Sequence, residues 1–482
     1  MLLILILFSL NASTNIVCKI IFPIETLPLD NYIISSNISS HKITMLNSLR
    51  KKFYTFLEIG TPIQKVPLFI DTRENTFEIT SFSRENIINY HLVYNLSSIF
   101  NKYDFFKENK SSTFKTDGCI KSNNMFDDHL YDCFSYETIN LYKENKIEIK
   151  NFGFNMVKNK EENITGILGL GLFDKKSDIS KSFLKILKDK NIINNYNWYF
   201  LFNSWNETNG KLILGSLPHE DYPNIFSEDD LEYTYIPLDD YSFSHNSYKI
   251  EFNEIKINSE INLLNVNAEL NFDSNVIIAN KEFETELRKK FIKNLIIEEK
   301  CFKDTVKQNI YYINDLIYYY CEVNTKFILY DYLPSIKFIS KDLNYTFEIT
   351  KDELYKIDGD YIYLNILFDY GKNYWILGKP ISLKYPFVFN QDSKKIGLYK
   401  NYNKKKYINK KRENNNINII KIFLVLFFSI VLLLIGFYLG KTIYKMKRKI
   451  RANELNDNYE YINDTKNQND NKNYSIEMKI KL

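Results

Sequence analysis

The feature that most constrains the fold of this 482-residue chain is a weak internal duplication. In each half, a largely apolar run ends in Asp followed by a hydroxyl residue, at Leu68–Thr72 and at Leu270–Ser274. About a hundred residues later, each half has an apolar pair before glycine, at Ile167–Gly169 and at Ile376–Gly378. The duplication predicts a two-lobed molecule in which each lobe offers one Asp to a shared carboxylate pair.

The body of the chain, residues 45–400, consists mainly of short runs rich in β-branched and aromatic residues, separated by polar turns. Val66–Ile70 and Tyr345–Ile349 are examples, and this pattern predicts a mostly all-β fold. Two segments are exceptions. Ile179–Lys190 and Lys281–Glu299 predict helices, the second because apolar residues recur every four positions.

Composition excludes two classes of protein. Hydrophobic residues make up 45% of the chain and charged residues 25%, which is ordinary for a protein that buries a core and excludes global disorder. The formal net charge is only +4, so no domain-wide basic face is implied and we predict no nucleic-acid partner.

Two apolar segments flank the body. The first is a short apolar run followed by small and polar residues, which is typical of a secretory signal peptide, and we place it at residues 1–18. The second, residues 422–440, is uncharged and long enough for a transmembrane helix. It follows an Asn- and Lys-rich stalk at residues 401–421. Basic residues lie on both sides of the span, so the signal peptide sets the topology. The prediction is a single-pass type I protein of the secretory pathway, with a luminal or extracellular body and a cytosolic tail at residues 441–482.

The five cysteines agree with an oxidising compartment. If Cys18 is removed with the signal peptide, four remain in two close couples, Cys119 with Cys133 and Cys301 with Cys321. Four cysteines allow three connectivities, and we predict pairing within each couple. No spacing resembles a zinc site, so we predict neither a metal nor a cofactor.

Several segments resemble the pepsin family of aspartic proteases and occur in the family's order. Tyr54–Gln64 resembles the family's opening strand motif, Asn163–Gly171 its Asp-Gly-Ile-Leu-Gly-Leu-Gly segment, and Tyr374–Gly378 its Trp-Ile-Leu-Gly segment. The resemblance implies a bilobal pepsin-like fold whose lobes, at residues 45–235 and 236–400, are related by a pseudo-two-fold axis. The other matching segments are Phe105–Lys115, Gly210–Gly215, Leu333–Phe338, Val388–Phe389 and Ile396–Leu398.

The family's chemistry requires two carboxylates that share one proton, because like charges a few ångströms apart cannot both ionise. One carboxylate takes a proton from a bridging water that attacks the peptide carbonyl, and the other polarises that carbonyl. The resemblance implies that Asp71 and Asp273 are this pair. It also implies that the hydroxyls of Thr72 and Ser274 support the two catalytic loops by locking them together with hydrogen bonds.

The residues after each Asp depart from the family's pattern, which has Gly and then a hydroxyl residue. This chain has Arg73 and Glu74 in the first half, and Asn275 and Val276 in the second. A side chain at the glycine position takes up room or adds strain. An arginine there also places a fixed cation beside the pair, which opposes proton sharing. Glu74 and Val276 cannot donate the hydroxyl hydrogen bond expected at those positions.

The hairpin that covers the cleft in the family also differs. Its Tyr-Gly-x-Gly motif has no counterpart here, because Asn123–Tyr136 contains no glycine. Tyr131 and Tyr136 are the candidates for the tyrosine of this hairpin.

Three functions remain open at this point. The first is a pseudoprotease of low or lost activity that binds a peptide or protein between its lobes, and the second is an active aspartic endopeptidase. The third is a membrane-tethered structural or adhesion protein. We predict a monomer, and residues 19–44 are either a pro-segment or an N-terminal strand.

Overall fold

The computed structural model describes most of the body and one C-terminal helix. The chain divides into two compact units, residues 1–404 and residues 405–482. The described residues are 19–27, 39–49, 52–81, 106–121, 131–142, 146–158, 166–173, 182–202, 210–236, 247–257, 261–272, 274–306, 315–391, 393–401 and 427–451.

Short strands dominate the body, as their β-branched and aromatic composition predicts. The strands are β1 Ile20–Leu27, β2 Lys52–Ile59, β3 Gln64–Asp71, β4 Phe77–Ser81, β5 Lys115–Lys121, β6 Tyr131–Tyr142, β7 Lys146–Lys158, β8 Gly166–Gly169, β9 Asn197–Phe202, β10 Gly210–Leu214, β11 Leu231–Tyr235, β12 Lys249–Ile257, β13 Ile261–Leu270, β14 Ile277–Asn280, β15 Cys301–Val306, β16 Leu316–Glu322, β17 Ser335–Ser340, β18 Tyr345–Thr350, β19 Tyr355–Asp358, β20 Tyr361–Leu364, β21 Ile366–Asp369, β22 Trp375–Leu377, β23 Phe387–Asn390 and β24 Lys395–Tyr399.

Helices are short and lie mostly between the strands of the second half. The helices of the body are α1 Ser40–Leu49, α2 Phe183–Asp189, α3 Pro218–Asp221, α4 Lys281–Leu287, α5 Lys293–Ile297, α6 Lys326–Tyr332, α7 Lys351–Leu354 and α8 Lys379–Ser382, with a π-helical turn at Arg288–Ile292 and 3-10 turns at Glu108–Lys110, Glu228–Asp230 and Val323–Thr325.

The described strands form two sheets, one for each lobe. Thirteen strands make the first, in the order β11-β24-β23-β9-β10-β1-β2-β3-β8-β4-β7-β6-β5, and β2 also pairs with β6. Eleven make the second, in the order β18-β17-β12-β13-β22-β14-β21-β16-β20-β19, with β15 beside β16. β23 and β24 come from the end of the body and pair into the first sheet, so the two lobes share strands. The prediction of a mostly β, two-lobed body is confirmed.

The internal duplication is visible in the strand pairing. In the first lobe, β3 is parallel to β8, β8 is antiparallel to β4, and β4 is parallel to β7. In the second lobe, β13 is parallel to β22, β22 is antiparallel to β14, and β14 is parallel to β21. Asp71 is the last residue of β3, and Asp273 comes three residues after the end of the equivalent strand, β13.

Both predicted disulfides are present. Cys119–Cys133 joins β5 to β6, and Cys301–Cys321 joins β15 to β16, in each case between residues opposite one another in the pairing. Each bond therefore closes a hairpin within one lobe. Bridges that close loops of 14 and 20 residues reduce the entropy of the unfolded chain, which stabilises each hairpin by about 3 kcal/mol.

The N-terminal residues pack against both lobes. β1 lies in the first sheet between β10 and β2. α1 packs on the second lobe, where Met45 and Leu49 join a buried cluster with Val276, Tyr318 and Ile376. Helix packing of this kind depends on tertiary contacts more than on local propensity.

The C-terminal unit contains one described helix, Phe427–Arg451, of 25 residues. By length and apolar composition it could cross a membrane, and none of its apolar window is buried. The helix expected at residues 422–440 is therefore present from Phe427 onward, and it extends through the basic residues to Arg451. The predicted signal peptide, most of the stalk and most of the tail lie outside the described residues.

Candidate active site

Asp71 is the last residue of β3 and lies opposite Gly169 of β8. Its side chain is only 6% exposed. The backbone oxygen of Asp71 accepts a hydrogen bond of 2.7 Å from the N–H of Leu170. The end of β3 is thus fixed by the segment that the sequence repeat places about a hundred residues later.

Arg73 and Glu74, the two residues that depart from the family's pattern in the first loop, both contact one oxygen of the Asp71 carboxylate. Oδ1 accepts hydrogen bonds from the backbone N–H groups of Arg73, at 2.8 Å, and Glu74, at 3.1 Å. The Arg73 guanidinium also lies close, with Nε 3.9 Å from the same oxygen. The arginine therefore places its charge beside the first carboxylate, as its position in the sequence predicts. Glu74 itself is exposed.

The second Asp of the predicted pair, Asp273, lies outside the described residues, but the loop on both sides of it is described. The N–H of Ser274 donates to the backbone oxygen of Asn271 at 3.3 Å. The backbone oxygen of Ser274 accepts from the N–H of Lys379 at 2.9 Å. Asn275 is half-buried and Val276 is fully buried.

The two loop hydroxyls do not meet among the described residues. Thr72 is fully buried, and its Oγ1 has no hydrogen-bond partner in the part of the chain that the structure describes. Ser274 Oγ donates to the backbone oxygen of Val276 at 2.7 Å and accepts from the N–H of the same residue at 3.3 Å. The serine hydroxyl therefore stabilises its own loop. The supporting role predicted for both hydroxyls stays a prediction.

Glycine is required beneath each loop because the backbones approach closely. A Cβ at Gly169 would lie 2.3 Å from the backbone oxygen of Thr76, and one at Gly378 would lie 2.3 Å from that of Ser274. Neither contact involves a flexible side chain. The two glycines of the sequence repeat thus allow each loop to pack closely against the neighbouring backbone in the same way.

We expect Gly378→Ala to lower the free energy of unfolding by about 1–3 kcal/mol, because the added methyl group overpacks the loop that carries Asp273. Chemical denaturation of the variant measures this loss. Gly153→Ala is the matched control, since the nearest atoms to its Cβ would be side-chain ring atoms, Phe134 Cζ at 3.0 Å and Tyr136 Cε1 at 3.7 Å. An equal loss in both variants would contradict a special role for Gly378.

A buried carboxylate that the sequence did not single out faces this region. Glu269 lies on β13 and is only 2% exposed, and its Oε1 has no hydrogen-bond partner among the described residues. Burial raises the pKa of Glu269, while the positive charges of Arg73, Lys372 and Lys249 lower it and the negative charge of Asp71 raises it. The available signal in the sequence was a glutamate within a predicted apolar strand, four positions before Asp273.

The hairpin of β5 and β6 carries the candidate tyrosines. Tyr131 lies opposite Lys121, but its side chain is outside the described part of the structure, as are residues 122–130. Tyr136 packs edge-on against Phe134, with ring centroids 5.2 Å apart. A hydrogen bond with Asp117 raises the pKa of the Tyr136 hydroxyl. Tyr136 is therefore engaged within the hairpin, and its predicted role over the cleft stays a prediction.

Two of the sequence motifs, Tyr54–Gln64 and Phe105–Lys115, meet β6 at the base of this hairpin. Gly60 donates its N–H to the backbone oxygen of Thr138 at 2.8 Å, and Ser112 donates its N–H to that of Thr61 at 2.8 Å. Thr113 Oγ1 donates to the buried carboxylate of Glu137. These hydrogen bonds hold the hairpin on the first lobe, so the motifs have a structural role.

No cluster of three or more metal-ligating side chains occurs within the described ranges.

Comparisons with known proteins agree with this arrangement. Residues 52–401 match the family model described as eukaryotic aspartyl protease. Among solved structures, the chain is similar to conglutin gamma, a unique basic 7S globulin from lupine seeds, with a TM-score of 0.51 and 12% sequence identity over 80% of this chain and 95% of that one. At this identity the likeness supports the fold alone. A search of curated proteins finds no match.

Proposed function

The chain belongs to the eukaryotic aspartyl protease family, and we propose that it is a pseudoprotease of that family. It keeps the Asp71 and Asp273 pair and the peptide-binding cleft between the lobes, but its proteolytic rate is low or lost. Asp71 and Asp273 would then contribute to binding a peptide or protein rather than to activating water.

The observation that carries this proposal is the position of Arg73. Its guanidinium Nε lies 3.9 Å from Asp71 Oδ1, where the family has glycine. An ion pair with arginine requires an ionised carboxylate, whereas the family's mechanism needs one proton shared between two carboxylates. Arg73 therefore competes with the shared proton for the first member of the pair.

The second loop supports the same conclusion. Val276 replaces the hydroxyl residue of the family's pattern, and its side chain is buried in an apolar cluster with Met45 and Leu49 of α1. A valine packed in this way orders the loop through apolar contact but offers no donor to the neighbouring Asp273. Catalytic groups must be held within about 0.5 Å of their productive geometry, so these losses favour binding without turnover.

We expect the full chain in detergent micelles to cleave a broad peptide library no faster than its Asp71→Asn, Asp273→Asn variant between pH 4 and 7. Binding of library peptides, measured by retention on the immobilised full chain, should nevertheless be detectable. Cleavage that disappears in the double variant would identify an active endopeptidase and overturn the proposal. Neither cleavage nor binding would favour the structural or adhesion protein.

The compartment follows from the two disulfides and the family, which both indicate the secretory pathway. We further propose that residues 1–18 are a signal peptide and that the Phe427–Arg451 helix anchors the chain as a monomeric, single-pass type I protein. Leu433 and Phe437 of this helix are each 74% exposed, which fits contact with lipid. The tail would then be cytosolic. Residues 19–44 are either a pro-segment or an N-terminal strand, and the pairing of β1 with β10 and β2 supports the strand.

A further inference from the structure

Asn344 begins a sequence motif that plays no part in the candidate active site. Asn344, Tyr345 and Thr346 form the pattern Asn-x-Ser/Thr, whose asparagine accepts an N-linked glycan in secreted proteins. The pattern by itself does not identify a modified site, because asparagine is frequent throughout this chain. The structure adds the missing criterion, since a glycan must remain in solvent after the chain has folded.

Exposure separates the asparagines of the motif from others in the described body. Asn344 and Asn109, each the first residue of such a motif, are both exposed. Among the described residues, the buried asparagines all lie outside the motif, and they are Asn75, Asn140, Asn155, Asn197, Asn271 and Asn280. A glycan at Asn344 is therefore compatible with the folded chain.

The turn that carries Asn344 is held by hydrogen bonds that do not use its side chain. The turn joins β17 to β18, and the N–H of Asn344 donates to the backbone oxygen of Lys341 at 3.0 Å. The N–H of Lys341 donates to Asn253 Oδ1 at 2.6 Å, and that of Leu343 donates to Ser340 Oγ at 3.4 Å. Asn344 has a φ of 43°, a left-handed conformation that asparagine tolerates. The fold thus presents an exposed asparagine on a fixed turn.

The strand that follows this turn lies at the edge of the second sheet. Among the described strands, β18 pairs with β17 alone. In an antiparallel pair, the backbone groups of alternate residues point away from the partner strand. Glu348 is one of these residues, because the Tyr385 hydroxyl accepts from its N–H at 2.6 Å and donates to its backbone oxygen at 3.0 Å. The N–H of Thr350 donates to the Glu353 carboxylate at 2.6 Å. Side chains therefore cover two of the outward positions of β18, and the third is Thr346, the exposed last residue of the motif.

An uncovered edge strand can pair with the edge of another chain, and proteins commonly block such edges. We propose that Asn344 carries an N-linked glycan that covers the open end of β18 and prevents its pairing with a second copy of the chain. This inference rests on the luminal placement of the body proposed above. It does not depend on whether the chain cleaves peptides.

The modification is a group transfer from a lipid-linked oligosaccharide diphosphate, which the secretory pathway supplies. Nδ2 of Asn344 forms a bond to the anomeric carbon of the oligosaccharide, and the bond from that carbon to the diphosphate breaks. Nδ2 loses one proton, and the lipid diphosphate leaves with the electron pair of the broken bond. The hydroxyl residue that the motif requires is Thr346.

Mass spectrometry of the full chain produced in insect cells tests the site. We expect the peptide that contains Asn344 to carry a glycan that peptide N-glycosidase removes. Thr346→Ala should abolish this glycan and Thr346→Ser should keep it, because only serine preserves the motif. Asn344→Gly should also abolish it, and glycine suits the positive φ at this position. An unmodified Asn344 in the folded, disulfide-bonded wild type would overturn the proposal.

The other motifs show whether such a failure lies in the site or in the topology. Two of them, at Asn463 and Asn473, are in the tail, which is expected to be cytosolic and therefore unmodified. A glycan at Asn109 and none at Asn344 would overturn the inference but keep the luminal body. Glycans on the tail and none on the body would overturn both the inference and the proposed topology.

Light scattering of the purified full chain in detergent micelles tests the covering role. We expect the wild type and Thr346→Ser to stay monomeric as the concentration rises, and Asn344→Gly and Thr346→Ala to form dimers. Asn109→Gln is the matched control, because it removes a motif from the first lobe and should leave the chain monomeric. If a variant fails to fold, enzymatic removal of the glycan from the folded wild type replaces it. A chain that loses the glycan at Asn344 and stays monomeric would overturn the covering role.

Discussion

Restoring the family's residues beside the two aspartates is expected to raise peptide cleavage by the full chain at least about 100-fold, which is the lower end of what positioned acid–base groups contribute. The substitutions of this loop-restored variant are Arg73→Gly, Glu74→Ser, Asn275→Gly and Val276→Thr.

The expected gain has two physical sources. Removing the Arg73 guanidinium from its position 3.9 Å from Asp71 Oδ1 allows the carboxylate pair to share a proton. Hydroxyls at positions 74 and 276 can donate to the outer carboxylate oxygens and hold them in orientation. The backbone N–H groups of residues 73 and 74 already donate to Asp71, and glycine and serine keep these N–H groups.

The measurement is kcat/KM for a library-derived peptide between pH 4 and 7. The control carries the same four substitutions together with Asp71→Asn and Asp273→Asn, and it should be inactive. A further variant adds Glu269→Gln, since removal of Arg73 would leave Glu269 with one cation fewer. A loop-restored chain that folds, keeps both disulfides and remains as slow as the wild type would show that the departures beside the aspartates do not limit the rate.

Much of the fold follows from the sequence because its determinants are local or repeated. The duplication places an Asp after an apolar strand and a glycine about a hundred residues later, and the structure pairs Asp71 with Gly169 in adjacent strands. The short spacing within each cysteine couple likewise predicts pairing within the couple, and both disulfides form in that way.

The parts that the sequence did not predict depend on contacts between distant segments. Glu269 becomes conspicuous only when the fold buries it, sets Lys249 opposite it and leaves its Oε1 without a hydrogen-bond partner among the described residues. Several acceptors are available to the Ser274 hydroxyl, and the sequence alone does not show which of them it binds. The helix α1 is stabilised by Met45 and Leu49, which pack in a cluster with residues more than two hundred positions away. Its own sequence is therefore not sufficient to predict the helix.

Glu284→Gln is expected to lower the free energy of unfolding at pH 7 by roughly 3 kcal/mol, because hydrogen bonds to a buried charged group contribute about 1.5–3 kcal/mol each. Glu284 is 1% exposed on α4 and accepts hydrogen bonds from the hydroxyls of Tyr319 and Tyr370, the latter at 2.9 Å. Arg288 Nε and Lys303 Nζ lie 3.3 and 3.4 Å from its Oε1. The carboxylate thereby joins the helix to β15, to β16 and to the end of β21.

The loss of unfolding free energy in Glu284→Gln should be larger at neutral pH than at acidic pH. Burial alone would raise the pKa of Glu284, but the tyrosine hydrogen bonds and the charges of Lys303 and Arg288 outweigh it and lower the pKa below its ordinary value. A carboxylate whose pKa is lower in the folded state stabilises that state above its unfolded pKa, near 4.3, and the stabilisation is lost as the pH falls through the folded value. The difference between wild type and Glu284→Gln should therefore be full at pH 7 and shrink as the pH is lowered below about 4.

Denaturant unfolding at several pH values measures this difference, with Glu286→Gln as the control from the same helix. Glu286 Oε2 lies 3.5 Å from Lys290 Nζ, but both side chains are about one-third exposed, so this pair should contribute no more than about 0.5 kcal/mol. If Glu284→Gln lowered the free energy of unfolding equally at pH 3 and pH 7, Glu284 would stabilise the fold through its shape and not through its charge. Glu269 should behave with the opposite sign, since its raised pKa makes the ionised form a cost to the fold. Among the described residues of the second lobe, Glu269 and Glu284 are thus two buried glutamates of opposite electrostatic effect.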